Sequence, residues 1–545
     1  MDFLHMQQEA NTYNDSYATP LEQGRLGTII NVGTSSLIVA VNSDQIDSRQ
    51  LAKSCRIGSV IKVPVEECHI YGTVQTVQTS MDADDTILLT VDLLGELSGS
   101  GFSRGVRHFP MPGSEVYAAN DADLDASFAP KHEGTIKMGT VFPSENTPGG
   151  LNAETLLSRH FAVLGSTGTG KSSTVALLMH RLTDISPAAH IIILDPHNEY
   201  ERAFLDNGVH LSTENFSLPY WLMNFEEHVE LLIGGNTEGR ESDIDILKRC
   251  LFGARKRSAP SLSLSRFTVD TPIPYKLTEL VQIIDDEMGK LDKAEDLSPF
   301  FRLRNKIEEL RSDQRFAFMF SGLLVQDTLS ATVSKLMRFP TNGRPVTTLD
   351  LSGVPSEIVD VVVSLLSRLI FDFSMWSQKH SSTNPILLVC EEAHRYVPNA
   401  RLDGNGRIQA ARKSLERIAK EGRKYGVSLG LVSQRPSDLS EAVLSQCGTI
   451  LSMRMNNEQD RAFVENAMPE GTSSLLSALP TLQNRECIVA GEGVGCPLRL
   501  QLDFLEEHLR PASNDPSFLN SWRSDIDGPD EFVNDTILRW RKGVR

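Results

Sequence analysis

Cysteine is sparse and patternless in this sequence. The seven residues, Cys55, Cys68, Cys250, Cys390, Cys447, Cys487 and Cys496, are odd in number and scattered, with no CxxC pair. That spacing speaks against a disulfide framework and against structural zinc, and suits reduced thiols in a cytoplasmic protein. No run approaches the ~18 apolar residues of a membrane span, so no membrane partner is expected. The longest apolar runs, such as Ile191–Leu194 and Ile386–Val389, are short. The opening residues, MDFLHMQQEANTYNDSY, lack the apolar core of a secretion signal. Positive charge is also short: 53 Lys and Arg stand against 71 Asp and Glu, for a net −18. This excludes a surface coated in basic residues, although a narrow channel with local positive charge would leave the same total. Internal repeats and low-complexity tracts are missing as well.

What is present is an ordinary globular composition, 40% hydrophobic, in a chain of 545 residues. That is too long for one core. It suits either roughly three or four units or one enlarged catalytic domain plus a small module. Residues 1–22 are polar and read as an arm. Leu26–Val32, Leu37–Val41, Val60–Val65, Ile70–Gln78 and Thr86–Leu94 are short and rich in Val, Ile and Thr, punctuated by Gly33, Gly58, Asp82–Asp85 and Gly95. They predict a small β-barrel over 23–132, with a sheet-edge domain as the alternative; within it 96–132 reads as linker with some added strand. From 133 to 503 strands alternate with helices, which predicts an α/β fold on a parallel sheet. The strands fall at His160–Leu164, His190–Leu194, Val346–Leu351, Ile386–Val389, Ser428–Ser433 and Gly448–Met453. Residues 205–340 interrupt them with helical periodicity, as in Lys276–Leu291 and Phe300–Phe320, and read as a helical insertion. Residues 504–545 read as a polar tail with a terminal helix.

Gly165-Ser166-Thr167-Gly168-Thr169-Gly170-Lys171-Ser172 matches GxxxxGK[ST] in full. The glycines let successive N–H groups point at phosphate oxygens, and the helix that follows, with Ser173 in its first turn, adds its positive end. Lys171 can reach the β- and γ-phosphates and Ser172 can offer a hydroxyl to Mg²⁺. A strand before and a helix after are the required context, and both are expected here. ATP with Mg²⁺ is the implied ligand.

Hydrolysis needs in addition a carboxylate for the metal and a group that orients water. Ile386-Leu-Leu-Val-Cys-Glu391-Glu392 offers both at the end of an apolar strand, Glu391 for the Mg²⁺ shell and Glu392 for the attacking water. Aspartate is commoner at the first position, and acids at a helix start are the bland alternative. Gln434, in Ser433-Gln-Arg-Pro436, can contact the γ-phosphate from another strand end. Asp195, His197 and Glu199 form a weaker candidate metal group. Between 395 and 424 lie Arg395, Arg401, Arg407, Arg412, Lys413, Arg417, Lys420, Arg423 and Lys424, against only Asp403, Glu416 and Glu421. This local excess fits nucleic-acid phosphate contacts or an arginine finger, or simply a solvated helix face.

Together, Leu157–Ser172, Leu194-Asp-Pro-His-Asn-Glu-Tyr200, Val389–Pro398, Glu421-Gly-Arg-Lys-Tyr-Gly-Val427 and Ser433–Pro436 resemble the HerA subgroup of the HerA/FtsK hexameric motors. The resemblance spans about 134–496, and the N-terminal module is similar to the HAS barrel that precedes such motors. It implies a RecA-like, P-loop ATPase core in a homohexameric ring, ATP sites between subunits, and DNA through the central pore. It further implies Gln434 as sensor and Arg423 as the finger reaching the neighbour's site, with Arg417 and Arg159 as rivals. The segment Pro398–Ser414 is longer than the family pattern. Such motors work with a partner effector, a nuclease or, in bacterial antiviral defence, a sirtuin-type NADase, docked on the barrel. A conjugation or secretion-type ATPase and an ATP-controlled scaffold are the alternatives.

Overall fold

The computed structural model describes residues 24–46, 51–52, 54–79, 86–99, 101–128, 134–144, 146–262, 264, 266–290, 296–321, 324–378, 384–399, 409–468, 473–512, 518–523 and 529–542. The arm expected at 1–22, the turn at Asp82–Asp85, and Arg401, Asp403 and Arg407 lie outside the described residues. The chain forms two compact units, Met1–Asn152 with Met468–Leu482 and Glu486–Asp503, and Ala153–Ala467 with Gln483–Arg485 and Phe504–Arg545.

In the first unit, β1 (Arg25–Val32), β2 (Ser36–Asn42), β3 (Val60–Val65), β4 (Cys68–Thr79), β5 (Thr86–Ser98), β6 (Gly101–Arg104) and β7 (Glu115–Ala118) form a sheet in the order β2-β1-β7-β3-β4-β5-β6. β2 also pairs with β5, from Ser36↔Asp92 to Asn42↔Thr86, so the strands other than β6 close into a barrel. Period-two burial drives the closure: Leu37, Val39 and Val41 of β2 and Leu89 and Val91 of β5 fill the interior while their neighbours stay partly exposed. The stretch expected to be mainly linker supplies β7, seated between β1 and β3. Four residues, with Val116 and Tyr117 buried, are too few to display a period in sequence. β8 (Thr135–Val141), β9 (Pro148–Asn152), β17 (Glu486–Gly491) and β18 (Leu498–Leu502) pair antiparallel in the order β17-β18-β8-β9.

In the second unit, β10 (Phe161–Leu164), β11 (His190–Asp195), β12 (Gly208–Leu211), β13 (Val346–Asp350), β14 (Ile386–Cys390), β15 (Val427–Ser433) and β16 (Thr449–Ser452) run in the order β12-β13-β11-β14-β15-β10-β16. Every neighbouring pair is parallel. β10, β14, β15 and β16 are buried at every residue, which is why they read as unbroken apolar runs. Parallel strands bring their carboxyl ends to one edge, and the site lies there.

The expected helical insertion begins with β12, a short edge strand, and continues with helices Phe225–Leu232, Glu241–Ser258, Leu277–Met288, Ser298–Ser312 and Leu329–Met337. The stretch Phe300–Phe320 is not one helix. Asp313 is extended (ψ 118°) and its carboxylate accepts from the Arg315 N–H, which starts a new turn.

A buried ion pair ties the insertion down. Glu227 completes a capping box with Asn224 at the start of helix Phe225–Leu232. Its carboxylate also accepts from Arg368 Nε (3.0 Å), Arg368 Nη2 (2.9 Å) and Ser364 Oγ (2.9 Å), all on helix Val359–Ser377. Arg368→Met would strand a buried carboxylate, at an expected cost of about 3–5 kcal/mol, read as a lower denaturation midpoint. Pairing it with Glu227→Gln should recover part of that loss. Among the described residues, no helix is long and apolar enough to cross a membrane.

Candidate active site

The phosphate loop links β10 to helix Lys171–Ile185 and is held from both sides. Gly165 N–H donates to Ser433 O of β15 (3.3 Å) and Ser166 N–H to Arg454 O beyond β16 (2.9 Å). Gly168 and Gly170 have φ of +75° and +98°, backbone that side chains other than glycine rarely adopt. At Gly165 an added Cβ would fall 2.8 Å from Met453 Cβ, so that glycine serves close packing. Thr169 Oγ1 donates to Ser166 O (2.8 Å) and braces the loop. Lys171 is buried and its Nζ folds back to Ser166 O at 3.0 Å. Thr167 and Gly168 are exposed, Ser172 and Ser173 half-buried.

Across the edge, Gln434 follows β15 and its side chain meets Thr167 Oγ1 in a hydrogen bond. Glu391 and Glu392 follow β14, the next strand over. Glu391 accepts from Tyr200 OH (2.8 Å), and burial pushes its pKa up to about 8 against the opposing pull of that bond. Glu392 takes left-handed backbone (φ 51°, ψ 44°), a strained conformation for a residue with a side chain. Its Oε2 is buried and makes no hydrogen bond, although His394 Nδ1 lies 3.3 Å away; that imidazole nitrogen is engaged with Ser433 Oγ at 3.1 Å. Burial raises the Glu392 pKa, with Lys171 opposing. The Lys171 pKa is lowered by burial, while Glu391, Glu392 and Glu199 pull it upward.

The segment after β11 contributes more than the sequence promised. Asp195 does not join a metal group with His197 and Glu199: its carboxylate accepts from the His197 N–H (3.2 Å) and the Tyr200 N–H (2.8 Å) and shapes the turn. Among the described residues that trio does not form a metal-sized cluster. Glu199 instead accepts from Ser172 Oγ at 2.7 Å, placing a third carboxylate beside the phosphate loop. Sequence reasoning placed Glu199 in that trio rather than beside Ser172 and gave Tyr200 no role of its own, although the acidic turn at a strand end was the signal for both. The residues present fit a divalent cation. Ser172 Oγ and the Glu199 carboxylate it donates to are oxygen donors of the kind such an ion takes, Glu391 and Glu392 both bear on the Lys171 charge, and one Glu392 oxygen lacks a hydrogen-bond donor.

The candidate arginines lie elsewhere. Arg159 precedes β10 and Arg423 precedes β15, both at the amino edge of the sheet, opposite the phosphate loop, and both are exposed. Arg417 lies over the Phe371 ring (4.2 Å to its centre) and contacts Asp372 at 3.5 Å. Much of the basic excess on helix Ala410–Tyr425 is neutralised within the chain. Arg412 and Lys420 pair with Glu416 at 2.9 and 3.4 Å, and Lys413 pairs with Glu226 at 3.3 Å. Among the described residues, Arg423 makes no ion pair, and no arginine pairs with Glu199, Glu391 or Glu392.

A parallel sheet with a glycine-rich turn, a lysine, and paired acids at a neighbouring strand end defines a P-loop ATPase. Its central segment, residues 136–370, matches the model of the family described as "Helicase HerA, central domain". The chain is 25% identical over 517 residues to a probable helicase of Methanocaldococcus jannaschii, covering 89% of this chain and 94% of that protein. It is 26% identical over 464 residues to the DNA double-strand break repair helicase HerA of Pyrococcus furiosus, covering 78% of each. In fold it is similar to VirB4 of Thermoanaerobacter pseudethanolicus, with a TM-score of 0.50 at 16% identity over 70% of this chain and all of that one.

Proposed function

We propose that the chain is an ATP-driven DNA translocase or helicase that works as a homohexameric ring, with DNA in its central pore. The observation that carries this reading is the gathering of Lys171, Ser172, Glu391, Glu392 and Gln434 on one sheet edge, where, among the described residues, no arginine or lysine forms an ion pair with either acid. Such a site is half of one: it binds a triphosphate and awaits a positive charge from a neighbour. Lys171 and the loop N–H groups hold the phosphates. Ser172 and Glu391 would hold Mg²⁺, which neutralises charge on the β- and γ-phosphates. Glu199 orients the Ser172 hydroxyl. Glu392 orients the attacking water and takes up its proton. Gln434 reads the γ-phosphate through its contact with Thr167, and Arg423 of the adjacent copy completes the site. Relatives named as DNA-repair helicases support DNA as the polymer. The barrel is the docking face for a partner effector, a nuclease or a sirtuin-type NADase, in DNA processing or anti-phage defence.

Lys171→Ala is the direct test. ATP turnover should fall to background while native mass still shows the ring, and DNA should stimulate turnover of the unaltered protein only. Normal turnover in the variant would refute the site.

A further inference from the structure

In the first unit, far apart in sequence, three metal-binding side chains converge. Cys68 opens β4, Glu96 lies on β5, and His108 lies in the loop between β6 and β7. The β4–β5 pairing, His69↔Leu97 and Ile70↔Glu96, brings the first two together, and the hairpin of β5 with β6 returns the chain so that His108 reaches them. Their ligand atoms all lie within 4.8 Å of one another, and among the described residues this is the only such group. His108 Nδ1 is 3.8 Å from Cys68 Sγ and 3.2 Å from Glu96 Oε2. A tetrahedral zinc ion, with bonds of ~2.3 Å to sulfur and ~2.0 Å to nitrogen and oxygen, sets these separations at about 3.5 and 3.3 Å. The observed edges are close to that figure without rearrangement.

The surroundings suit an ion as well. Glu96 Oε2 is positioned by the N–H groups of Arg107 (3.1 Å) and His108 (3.3 Å), an outer set of donors of the kind that orients ligating carboxylates. Cys68 and Glu96 are buried while the His108 side chain is 58% exposed, so one side is open to solvent. Thiolate, imidazole and carboxylate together favour Zn²⁺ over Mg²⁺ or Ca²⁺. We propose that Cys68, Glu96 and His108 form a Zn²⁺ site on the barrel, with three protein ligands and a fourth position open to water. Binding releases the Cys68 thiol proton to solvent and leaves no change of oxidation state. The ion pins the loop that carries His108 to β4 and β5.

The test uses full-length protein purified without chelator. Zinc per chain is measured by mass spectrometry of the metal, and Co²⁺ titration is followed through the thiolate-to-metal absorption band. A stoichiometric equivalent of zinc and a thiolate band are expected. Cys68→Ser should abolish the band, His108→Ala should weaken Co²⁺ binding at least about tenfold, and Cys447→Ser, in the other unit, should change neither. Circular dichroism establishes that each variant is folded. Folded wild-type protein with only trace zinc and no band, or a band that survives Cys68→Ser, overturns the proposal.

Discussion

Arg423→Ala is expected to lower kcat by about 10³–10⁵-fold, the worth of an arginine finger, with little change in ATP affinity. The side chain precedes β15 at the edge away from Lys171, so it does not reach the nucleotide of its own chain. It is exposed and unpaired among the described residues, unlike Arg417, which is stacked on Phe371 and pulled toward Asp372. A mixing experiment separates action across an interface from a local defect. Arg423→Ala and Glu392→Gln protomers, each inactive alone, should regain turnover when assembled together. In such a ring some sites combine an intact Glu392 with an intact Arg423 from the neighbour. If mixed assemblies of verified composition stay inactive, Arg423 is not the finger, and Arg159→Ala in the same design becomes the next comparison.

Glu392→Gln should reduce kcat about 10²–10⁴-fold, the usual contribution of a positioned base, while ATP still binds. This expectation rests on a carboxylate oxygen that no hydrogen-bond donor satisfies. Glu392 Oε2 is buried, lacks a donor, and sits on left-handed backbone at the end of β14. An unsatisfied buried oxygen and a strained backbone both cost free energy, and such costs concentrate at functional sites. The amide keeps the shape and loses the ability to take a proton from water. Trapping of ATP with no release of phosphate is the expected signature. Retained turnover would move the role to Glu199, the remaining carboxylate beside Ser172.

The phosphate loop and the strands around it were legible because each strand is buried on both faces, which writes a solid apolar run into the sequence, and because Gly168, Gly170 and Lys171 form a contiguous pattern. Glu391 and Glu392 were legible for the same reason, standing just past such a run. The barrel was legible from alternation on β2 and β5, but β7 and β12 were not, since four residues carry no period. Pairings made by sheet order were out of reach. Ser172 and Glu199 are 27 residues apart and meet only through the packing of the α/β layers. Cys68, Glu96 and His108 are joined by barrel register rather than spacing. The basic segment misled in part, because charge counted along a chain does not reveal that Glu226 and Asp372 lie across from Lys413 and Arg417.

Helix Ala410–Tyr425 ends at Gly426, whose φ of +75° turns the chain directly into β15. Buried His160 fastens the two, accepting from the Leu429 N–H at 3.0 Å and donating to Ala419 O at 3.1 Å. Seven residues of strand, about 23 Å, thus form a stiff lever with Gln434 at one end and Arg423 near the other. Under the assignment above, the far end feels whether the protomer's own γ-phosphate is present, and the near end decides whether the next protomer can fire. Hydrolysis would then pass around the ring in turn, like a relay baton, without any separate messenger segment.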